Sequence, residues 1–280
     1  MMTSRRGFSR VLAATSLASA VEMFGETPEA TVGDSGDFKL GVASYSFREF
    51  GRKIAIQGTQ KLAKFINYKD VHLPLTSTPA EIKKAIADTE KAGLKIVGGG
   101  TIYFQTQDEK DIRAKFEYAK ACGMPTIVCM PNVDVLPKLG KYVQEYDIKI
   151  AVHAHGPEDK NFQKPQDVLK VVKDMDPRCG LCIDVGHTVR TGVDLISTVA
   201  ETGPRLLDMH VKDLADFNDK SSQRPCGDGI IPFPALFRQL KKMNYQGYIN
   251  LEYEIDDVDP LPNMIKSFAY MRGVIAGIKG

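Results

Sequence analysis

The chain has 280 residues, of which 43% are hydrophobic and 26% charged, and its formal net charge is +2. This composition is typical of a globular protein, and the near-neutral charge argues against a nucleic acid or an anionic membrane as partner. The chain has no run of 18 apolar residues, so the sequence predicts no membrane-spanning helix.

The amino-terminal residues are predicted to lie outside the fold. Arg5 and Arg6 precede a short apolar segment that ends in Ala-Ser-Ala, and residues 1–20 therefore match a twin-arginine export signal. The alternative is a basic tail. Residues 21–38 are predicted to be a linker, and residues 39–280 the folded domain. Because the twin-arginine pathway carries folded proteins, we expect a periplasmic or secreted protein that acquires any cofactor before export.

From residue 39 onward one unit repeats, in which a short apolar run, a polar break and an amphipathic stretch follow each other. Eight strands are predicted, at 40–47, 68–75, 94–100, 125–131, 148–156, 180–184, 205–213 and 247–254. Eight helices are predicted, at 58–67, 79–92, 108–121, 135–146, 165–175, 193–201, 233–243 and 260–277. A long loop precedes the seventh helix.

Eight strands that alternate with eight helices predict an α/β protein with a (β/α)₈ TIM barrel in a single domain, which needs about 250 residues. The apolar runs are continuous, as expected for a parallel sheet covered by helices. An open, doubly wound sheet is the competing architecture. It lacks support, because the Gly-Gly-Gly-Thr run at 98–101 does not have the spacing of a dinucleotide-binding fingerprint.

The cysteines are predicted to be structural. Their number is odd, which argues against a framework of disulfides. Cys179 and Cys182 have the spacing of a zinc or redox motif, but a partner pair is absent, and positions three apart on a strand face opposite ways. The five residues are Cys122, Cys129, Cys179, Cys182 and Cys226.

All histidines of the chain fall in or directly after predicted strands, at His72, His153, His155, His187 and His210. A single histidine at a strand end is more often structural than functional. In a barrel, however, the carboxyl ends of the strands meet at one mouth, where the active sites of this fold lie. The sequence therefore predicts one shared site at this mouth.

Carboxylates and a lysine join the histidines at the same strand ends. Asp184 follows the sixth run, Glu252 and Glu254 close the eighth, and Lys212 faces the same side of its strand as His210. Mixed nitrogen and oxygen donors suit a divalent metal ion, which can polarise a sugar carbonyl while a neighbouring base removes a proton. Lys212 is then expected to stabilise the enediolate. Glu254 could equally be a solvated carboxylate at the rim.

Four segments carry a resemblance to a known family: IAVHAHGPED (150–159), GLCIDVGHTVRTGVD (180–194), RLLDMHVKDL (205–214) and PCGDGIIPFPALFRQLKKMNYQGYINLEYE (225–254). With these motifs, the chain from residue 39 to about residue 275 resembles the sugar phosphate isomerase/epimerase superfamily, the xylose-isomerase-like barrels.

The resemblance implies one divalent ion, Mn²⁺, Co²⁺ or Zn²⁺, and a substrate-binding histidine. The implied metal ligands are His153, Asp184, His210 and Glu252. Glu252 resembles the family glutamate that also moves a proton, and His187 the family's substrate-binding histidine. The candidate catalytic residues are Glu252, His153 and Lys212, and the candidate substrate contacts are His187, His72, His155 and Arg224. His155 could instead orient His153.

The chain departs from its relatives at two positions. Ketose 3-epimerases of the superfamily have a second glutamate at the end of strand five, where this chain has His153. Lys212 and Arg224 are the candidates to replace their substrate arginine. Endonuclease IV shares the fold, but its three-zinc cluster needs more histidines, and Ile230 stands where that family has one. Together with the near-neutral charge, this argues against DNA repair.

We therefore expect a metal-dependent isomerase or epimerase that acts on a small carbohydrate through an enediolate. The first alternative is a lyase or hydratase on a 3-keto-glycoside or a related oxidised sugar, which needs one base and the metal. The missing second glutamate and the export signal favour it. The second alternative is a sugar-binding barrel without catalysis. A homo-oligomer is compatible with each of these predictions.

Overall fold

The computed structural model describes residues 38–278, and eight parallel strands in it close into a barrel. The strands are β1 (Lys39–Ala43), β2 (Phe65–Tyr68), β3 (Lys95–Phe104), β4 (Thr126–Pro131), β5 (Lys149–His153), β6 (Cys179–Asp184), β7 (Leu206–Val211) and β8 (Tyr248–Leu251). Hydrogen bonds join them in the order β1-β8-β7-β6-β5-β4-β3-β2, and β2 pairs with β1. The predicted (β/α)₈ barrel is confirmed.

The helices of the described residues lie between successive strands and after the last one. They are α1 (Arg52–Leu62), α2 (Pro79–Lys91), α3 (Glu109–Ala121), α4 (Leu136–Tyr146), α5 (Pro165–Val172), α6 (Val185–Val189), α7 (Leu195–Thr202), α8 (Phe233–Lys242) and α9 (Leu261–Gly277). Helix α2 begins where its sequence predicts, because Thr78 and Glu81 form a capping box and Pro79 occupies the first turn. The predicted export signal, and the linker up to residue 37, lie outside the described residues.

Three predicted elements near the amino end of the chain have wrong bounds. The first strand ends at Ala43 rather than at residue 47, because Ser44–Phe47 forms a 3₁₀ helix. Helix α1 ends at Leu62 rather than at residue 67, and β2 is Phe65–Tyr68 rather than 68–75. The four-residue strand is too short to show a period, and the turn after it buries Leu73, which made that turn resemble a strand. His72 therefore lies in a turn, not in a strand.

A short helix and a hairpin of two short strands were missed. Helix α6 begins directly after β6, with Asp184 as its N-cap, and its five residues are too few to show the helical period. A hairpin of two-residue strands, Asp213–Leu214 and Gln223–Arg224, lies within the predicted long loop. Strands of this length carry no alternation of apolar and polar residues.

The core has two parts. Apolar side chains such as Phe104, Phe116 and Tyr142 fill the space between strands and helices, and Cys182 packs with Val128 inside the barrel. All five cysteines are buried and free, and burial raises the pKa of each thiol, so they remain unreactive thiols as predicted. Among the described residues, no helix has the length and apolar content needed to cross a bilayer.

Asp213 anchors the loop that follows β7. Its carboxylate is fully buried and accepts backbone N–H groups of Leu214 at 2.9 Å, Gly227 at 2.9 Å, Gly229 at 3.0 Å and Ile231 at 3.0 Å. These hydrogen bonds hold both ends of the loop at the end of the strand, so they fix where the loop lies above the mouth of the barrel.

We expect Asp213→Asn to lower the free energy of unfolding by about 1 to 3 kcal/mol, because two of the four N–H groups would face an amide nitrogen instead of an oxygen. Chemical denaturation measures this loss. The control is Asp228→Asn, which alters a half-exposed ion pair with Lys266 and should cost less than about 1 kcal/mol. Equal losses in the two variants would contradict the anchoring role of Asp213.

Candidate active site

Four of the residues predicted to bind metal meet at the carboxyl ends of β5 to β8. We call His153, Asp184, His210 and Glu252 the ligand tetrad. One donor atom from each lies within 4.8 Å of the others, and all four side chains are buried. Strand pairing explains the meeting, since Asp184 on β6 is in register with His210 on β7, and Glu252 follows β8 directly.

The separations within the ligand tetrad fit a single ion. His153 Nε2 lies 3.1 Å from His210 Nδ1 and 3.8 Å from Asp184 Oδ2, and His210 Nδ1 lies 3.4 Å from Glu252 Oε2. Donors bound at about 2.1 Å to one ion are roughly 3.0 to 3.4 Å apart, so two of these separations match and Asp184 would need to approach by roughly 0.4 Å. Asp184 Oδ2 is buried, and although Lys212 Nζ lies 3.1 Å away, it accepts no well-directed hydrogen bond among the described residues, which suits a ligand atom. Two imidazoles and two carboxylates fit Zn²⁺, Mn²⁺ or Co²⁺.

Two buried lysines share the carboxylates of the site. Lys212 Nζ lies 3.1 Å from both Asp184 Oδ2 and Glu252 Oε2 and also contacts Glu254, while Lys69 Nζ lies 2.7 Å from Glu252 Oε1. Three carboxylates face two ammonium groups, so the cluster carries an excess negative charge that favours a cation.

The same charges fix the ionisation of Glu252 and Lys212. Burial alone would raise the pKa of Glu252, but the ammonium groups of Lys69 and Lys212 outweigh it and hold that pKa well below its usual value. Burial alone would lower the pKa of Lys212, but the neighbouring carboxylates, Asp184 first among them, hold it well above its usual value. Glu252 is therefore a carboxylate and Lys212 an ammonium group.

His155 and His187 lie beside the ligand tetrad and are neutral, because burial lowers the pKa of each. His155 Nδ1 lies 3.1 Å from His153 Nδ1, so His155 orients that ring. Arg190 Nη1 lies 3.4 Å from His187 Nδ1. A guanidinium group only donates, so His187 Nδ1 accepts, and the proton of this neutral ring lies on Nε2. His187 therefore has a donor left for another partner.

A cavity of about 780 Å³ opens above these groups. His155, His187, Lys212 and Glu254 line it, as do residues of β3 and of the loops after β1, β2 and β7. Of the four residues of the ligand tetrad, Glu252 is the one among the described lining residues of the cavity. The same carboxylate thus borders both the group of metal donors and the space for a substrate.

Two predicted substrate contacts lie elsewhere. His72 is buried, with Nδ1 3.0 Å from Ser44 Oγ and Nε2 2.9 Å from the carbonyl oxygen of Phe50, and it does not line the cavity. Arg224 is exposed in the hairpin and donates to the carbonyl oxygen of Gln223. The structure therefore does not place either side chain in the cavity. The Gln223 side chain lines it instead.

Sequence reasoning missed two parts of the site. The first is Lys69, directly after β2. The second is a polar layer inside the barrel, where Asp208 accepts from Asn67 Nδ2 at 3.2 Å and Asn250 Nδ2 at 2.9 Å. Asp208 Oδ2 lies 3.9 Å from His210 Nε2, and burial raises the pKa of Asp208 to about 7. Its position two residues before His210, on the same face of β7, was the available signal.

The model of one protein family, described as the xylose isomerase-like TIM barrel, matches residues 59–274. The chain belongs to this family. The resemblance to the sugar phosphate isomerase/epimerase superfamily is thereby confirmed, and the match spans seven of the eight strands and reaches into helix α9.

Known proteins of similar sequence and structure agree on the fold. An inosose dehydratase of Mesomycoplasma hyopneumoniae is 27% identical over 160 residues, which cover 50% of this chain and 53% of that protein. The chain thus spans about half the length of the curated relatives it matches. The zinc-bound IolI protein has a TM-score of 0.72 at 17% identity, covering 86% of this chain and 99% of that one. The 3-keto-D-glucoside 4-epimerase YcjR of E. coli has a TM-score of 0.69 at 18% identity, covering 84% and 99%.

Proposed function

We propose that the protein is a metal-dependent enzyme that isomerises or epimerises a small carbohydrate by removing a proton next to a carbonyl group. The observation that carries this proposal is the double position of Glu252, which belongs to the ligand tetrad and also lines the cavity. A carboxylate in this position can contact an ion on one side and the acidic C–H group of a sugar on the other.

The ligand tetrad would hold one divalent ion. Its buried donors support this assignment, as do the three carboxylates, Glu254 included, that face two ammonium groups there. The zinc atom bound by the IolI protein, a structural neighbour, supports it further. When bound, such an ion supplies a Lewis acid that makes a sugar carbonyl more electrophilic and the adjacent C–H group more acidic. His153 lies below the cavity and does not line it, so we assign it to the ion rather than to the substrate.

Each lining residue then has a role that follows from its charge. Glu252, held as a carboxylate by Lys69 and Lys212, accepts the proton. Lys212, an ammonium group that also lines the cavity, stabilises the negative oxygen of the enediolate. His187 Nε2–H donates to a substrate hydroxyl group. His155 lines the cavity across β6 and β7 from Glu252, where its neutral ring can form a hydrogen bond with a substrate hydroxyl group. The protonated Glu252 then returns the proton to a carbon of the enediolate.

A lyase or dehydratase acting on an oxidised sugar, such as a 3-keto-glycoside, is the second candidate. His153 stands where ketose 3-epimerases have their second glutamate, and relatives from Mesomycoplasma hyopneumoniae and Clostridium tetani carry the name inosose dehydratase. The first proton removal would be the same, but a substituent on the next carbon would then leave, which needs no second carboxylate.

Incubation of the Mn²⁺-loaded protein in D₂O with a panel of free and 3-keto sugars tests the proposal. We expect deuterium at a carbon next to the carbonyl, read by NMR or mass spectrometry, together with an isomer or epimer. Loss of a substituent from the sugar would select the lyase. Absence of exchange with every sugar, in a protein shown to contain the metal, would contradict both and leave the sugar-binding barrel.

We also propose that the protein is exported in its folded state. Arg5, Arg6 and the apolar segment that follows support this, as do the five cysteines, whose burial protects them in an oxidising compartment. We expect the double substitution Arg5→Lys and Arg6→Lys to reduce the periplasmic fraction at least about tenfold, measured by cell fractionation and immunoblotting. A matched double substitution in the barrel, Lys83→Arg and Lys84→Arg on α2, should leave it unchanged. Unchanged export of the Arg5/Arg6 variant would contradict the twin-arginine assignment.

A further inference from the structure

One half of the cavity is lined by polar and charged residues, and the other half combines exposed apolar side chains with Arg48, Lys69, Asp70 and Thr101. Its polar half lies over β5 to β8 and contains His155, His187, Lys212 and Glu252. Its other half lies over β1, β2 and β3, and each of these strands, or the turn after it, contributes one exposed apolar side chain. The three, which we call the apolar wall, are Tyr45, Val71 and Tyr103, with exposed fractions of 37%, 50% and 51%.

The apolar wall begins beside the reacting carboxylate. Lys69 Nζ lies 2.7 Å from Glu252 Oε1 and 5.9 Å from the centre of the Tyr45 ring, and Arg48 also lies against this ring, at 5.4 Å. The two cations hold Tyr45 in place between the site and the rest of the wall. The cavity is therefore one continuous space from Glu252 to Tyr103.

Tyr103 at the far end has no partner within the part of the chain that the structure describes. Its side chain makes no hydrogen bond, ring contact or cation–π contact there, although it faces the cavity from a barrel strand. Single exposed apolar residues are ordinary on protein surfaces, but three that line one concave site favour a ligand contact there.

The spacing of the strands favours a ligand longer than one sugar ring. Three strand spacings separate β8 from β3 along the barrel wall, which is roughly 14 Å at about 4.8 Å per spacing. A pyranose with its substituents is four or five bonds of about 1.5 Å across, which is roughly half of that distance. A ring that reacts at Glu252 therefore leaves Tyr103 free for a second ring.

We propose that the apolar wall is a binding subsite for the second ring of a glycoside, with Tyr103 packing on the apolar face of that ring. This deepens the proposed function, on which it rests, by naming glycosides rather than free monosaccharides as the substrate class. The second ring is either another sugar or an aryl group, since both present a flat apolar face to an aromatic side chain.

Calorimetry with the Mn²⁺-loaded full chain tests the subsite without turnover. The probes are methyl β-glucoside, phenyl β-glucoside and methyl β-cellobioside, which have no free carbonyl group and so are not enolised. We expect the two-ring probes to bind roughly three- to tenfold more tightly than methyl β-glucoside, the range typical of a contact between two aromatic or apolar rings. A gain for the phenyl probe alone identifies an aryl group, and a gain for the cellobioside alone identifies a sugar.

Three variants assign that gain to the wall. Tyr103→Ala should bring the two-ring probes to the affinity of methyl β-glucoside, whereas Tyr103→Phe should keep the gain. Val133→Ala removes a side chain of 48% exposure that does not line the cavity, and it should change nothing. Equal affinities of all probes for the unaltered protein, no binding of any probe, or a gain that survives in Tyr103→Ala would overturn the proposal. Deuterium exchange is measured separately, so an active enzyme without the ring preference would refute the subsite alone.

Discussion

Replacing Glu252 by glutamine is expected to lower turnover by about 10²- to 10⁴-fold, the range attributed to one general base. The amide cannot accept the proton of the sugar, and it is a poor metal ligand. The glutamine oxygen can still accept from Lys69 or Lys212, and Asp184 and Glu254 remain as partners of Lys212, so the barrel should stay folded. The rate of deuterium exchange into the sugar measures the loss, and circular dichroism with thermal melting checks the fold.

Glu254→Gln is the matched control for this substitution. It makes the same chemical change two residues further on, at a side chain that is 27% exposed, compared with 5% for Glu252. Glu254 contacts Lys212 but does not belong to the ligand tetrad, so we expect at most about a tenfold loss of turnover, the effect of weakening one charged hydrogen bond. Similar losses in the two variants, or exchange that persists in Glu252→Gln, would remove Glu252 from the role of base.

The parts of the site that the sequence predicted depend on a single structural rule. In a closed parallel barrel, every strand delivers the residue at its carboxyl end to the same mouth. Once Asp184, His210 and Glu252 are recognised at strand ends, the rule brings them together without any knowledge of side-chain contacts. Their meeting within 4.8 Å follows from register and closure, both of which the apolar runs specify.

The residues that were missed or wrongly placed depend on contacts between distant parts of the chain, or on turns, which a local sequence pattern does not show. Lys69 pairs with Glu252, which is 183 positions away, only because β1 lies between β2 and β8 in the closed sheet. The residues around a lysine that follows a short strand do not show whether its side chain is buried or exposed to solvent. The sequence places His72 in a strand because apolar residues surround it, but Leu73 is buried from a turn, and a few apolar residues in a turn resemble a short strand.

The apolar wall shows a related limit of sequence reasoning. Tyr45, Val71 and Tyr103 are ordinary residues one by one, and each follows or belongs to a different strand. Only their exposure, together with their shared cavity, distinguishes them from core residues. A hydrophobic residue is predicted to be buried by default, so the sequence offered no reason to look for a ligand contact there.

Metal binding is expected to raise the melting temperature of the metal-free protein by about 5 to 10 °C. A free ion at about 100 times its dissociation constant stabilises the folded state by about 2.7 kcal/mol, and each kcal/mol shifts the midpoint by about 2 to 4 °C for a domain of this size. Asp184→Asn should abolish most of that shift. The substitution removes the negative oxygen that faces the other three members of the ligand tetrad. An asparagine can still cap α6, because its side-chain oxygen can accept the backbone N–H of His187.

Asp194→Asn provides the control, because Asp194 is also the N-cap of a helix, accepts the backbone N–H of Ser197, and lies outside the ligand tetrad. Melting curves with Mn²⁺, Co²⁺ and Zn²⁺ should therefore show the full shift for Asp194→Asn and little or none for Asp184→Asn. If no ion stabilises the unaltered protein, the ligand tetrad is only a charge cluster neutralised by Lys69 and Lys212, and the sugar-binding alternative gains the support that the enzyme loses. If Asp184→Asn keeps the shift, the ion binds elsewhere, and the double position of Glu252 no longer argues for catalysis.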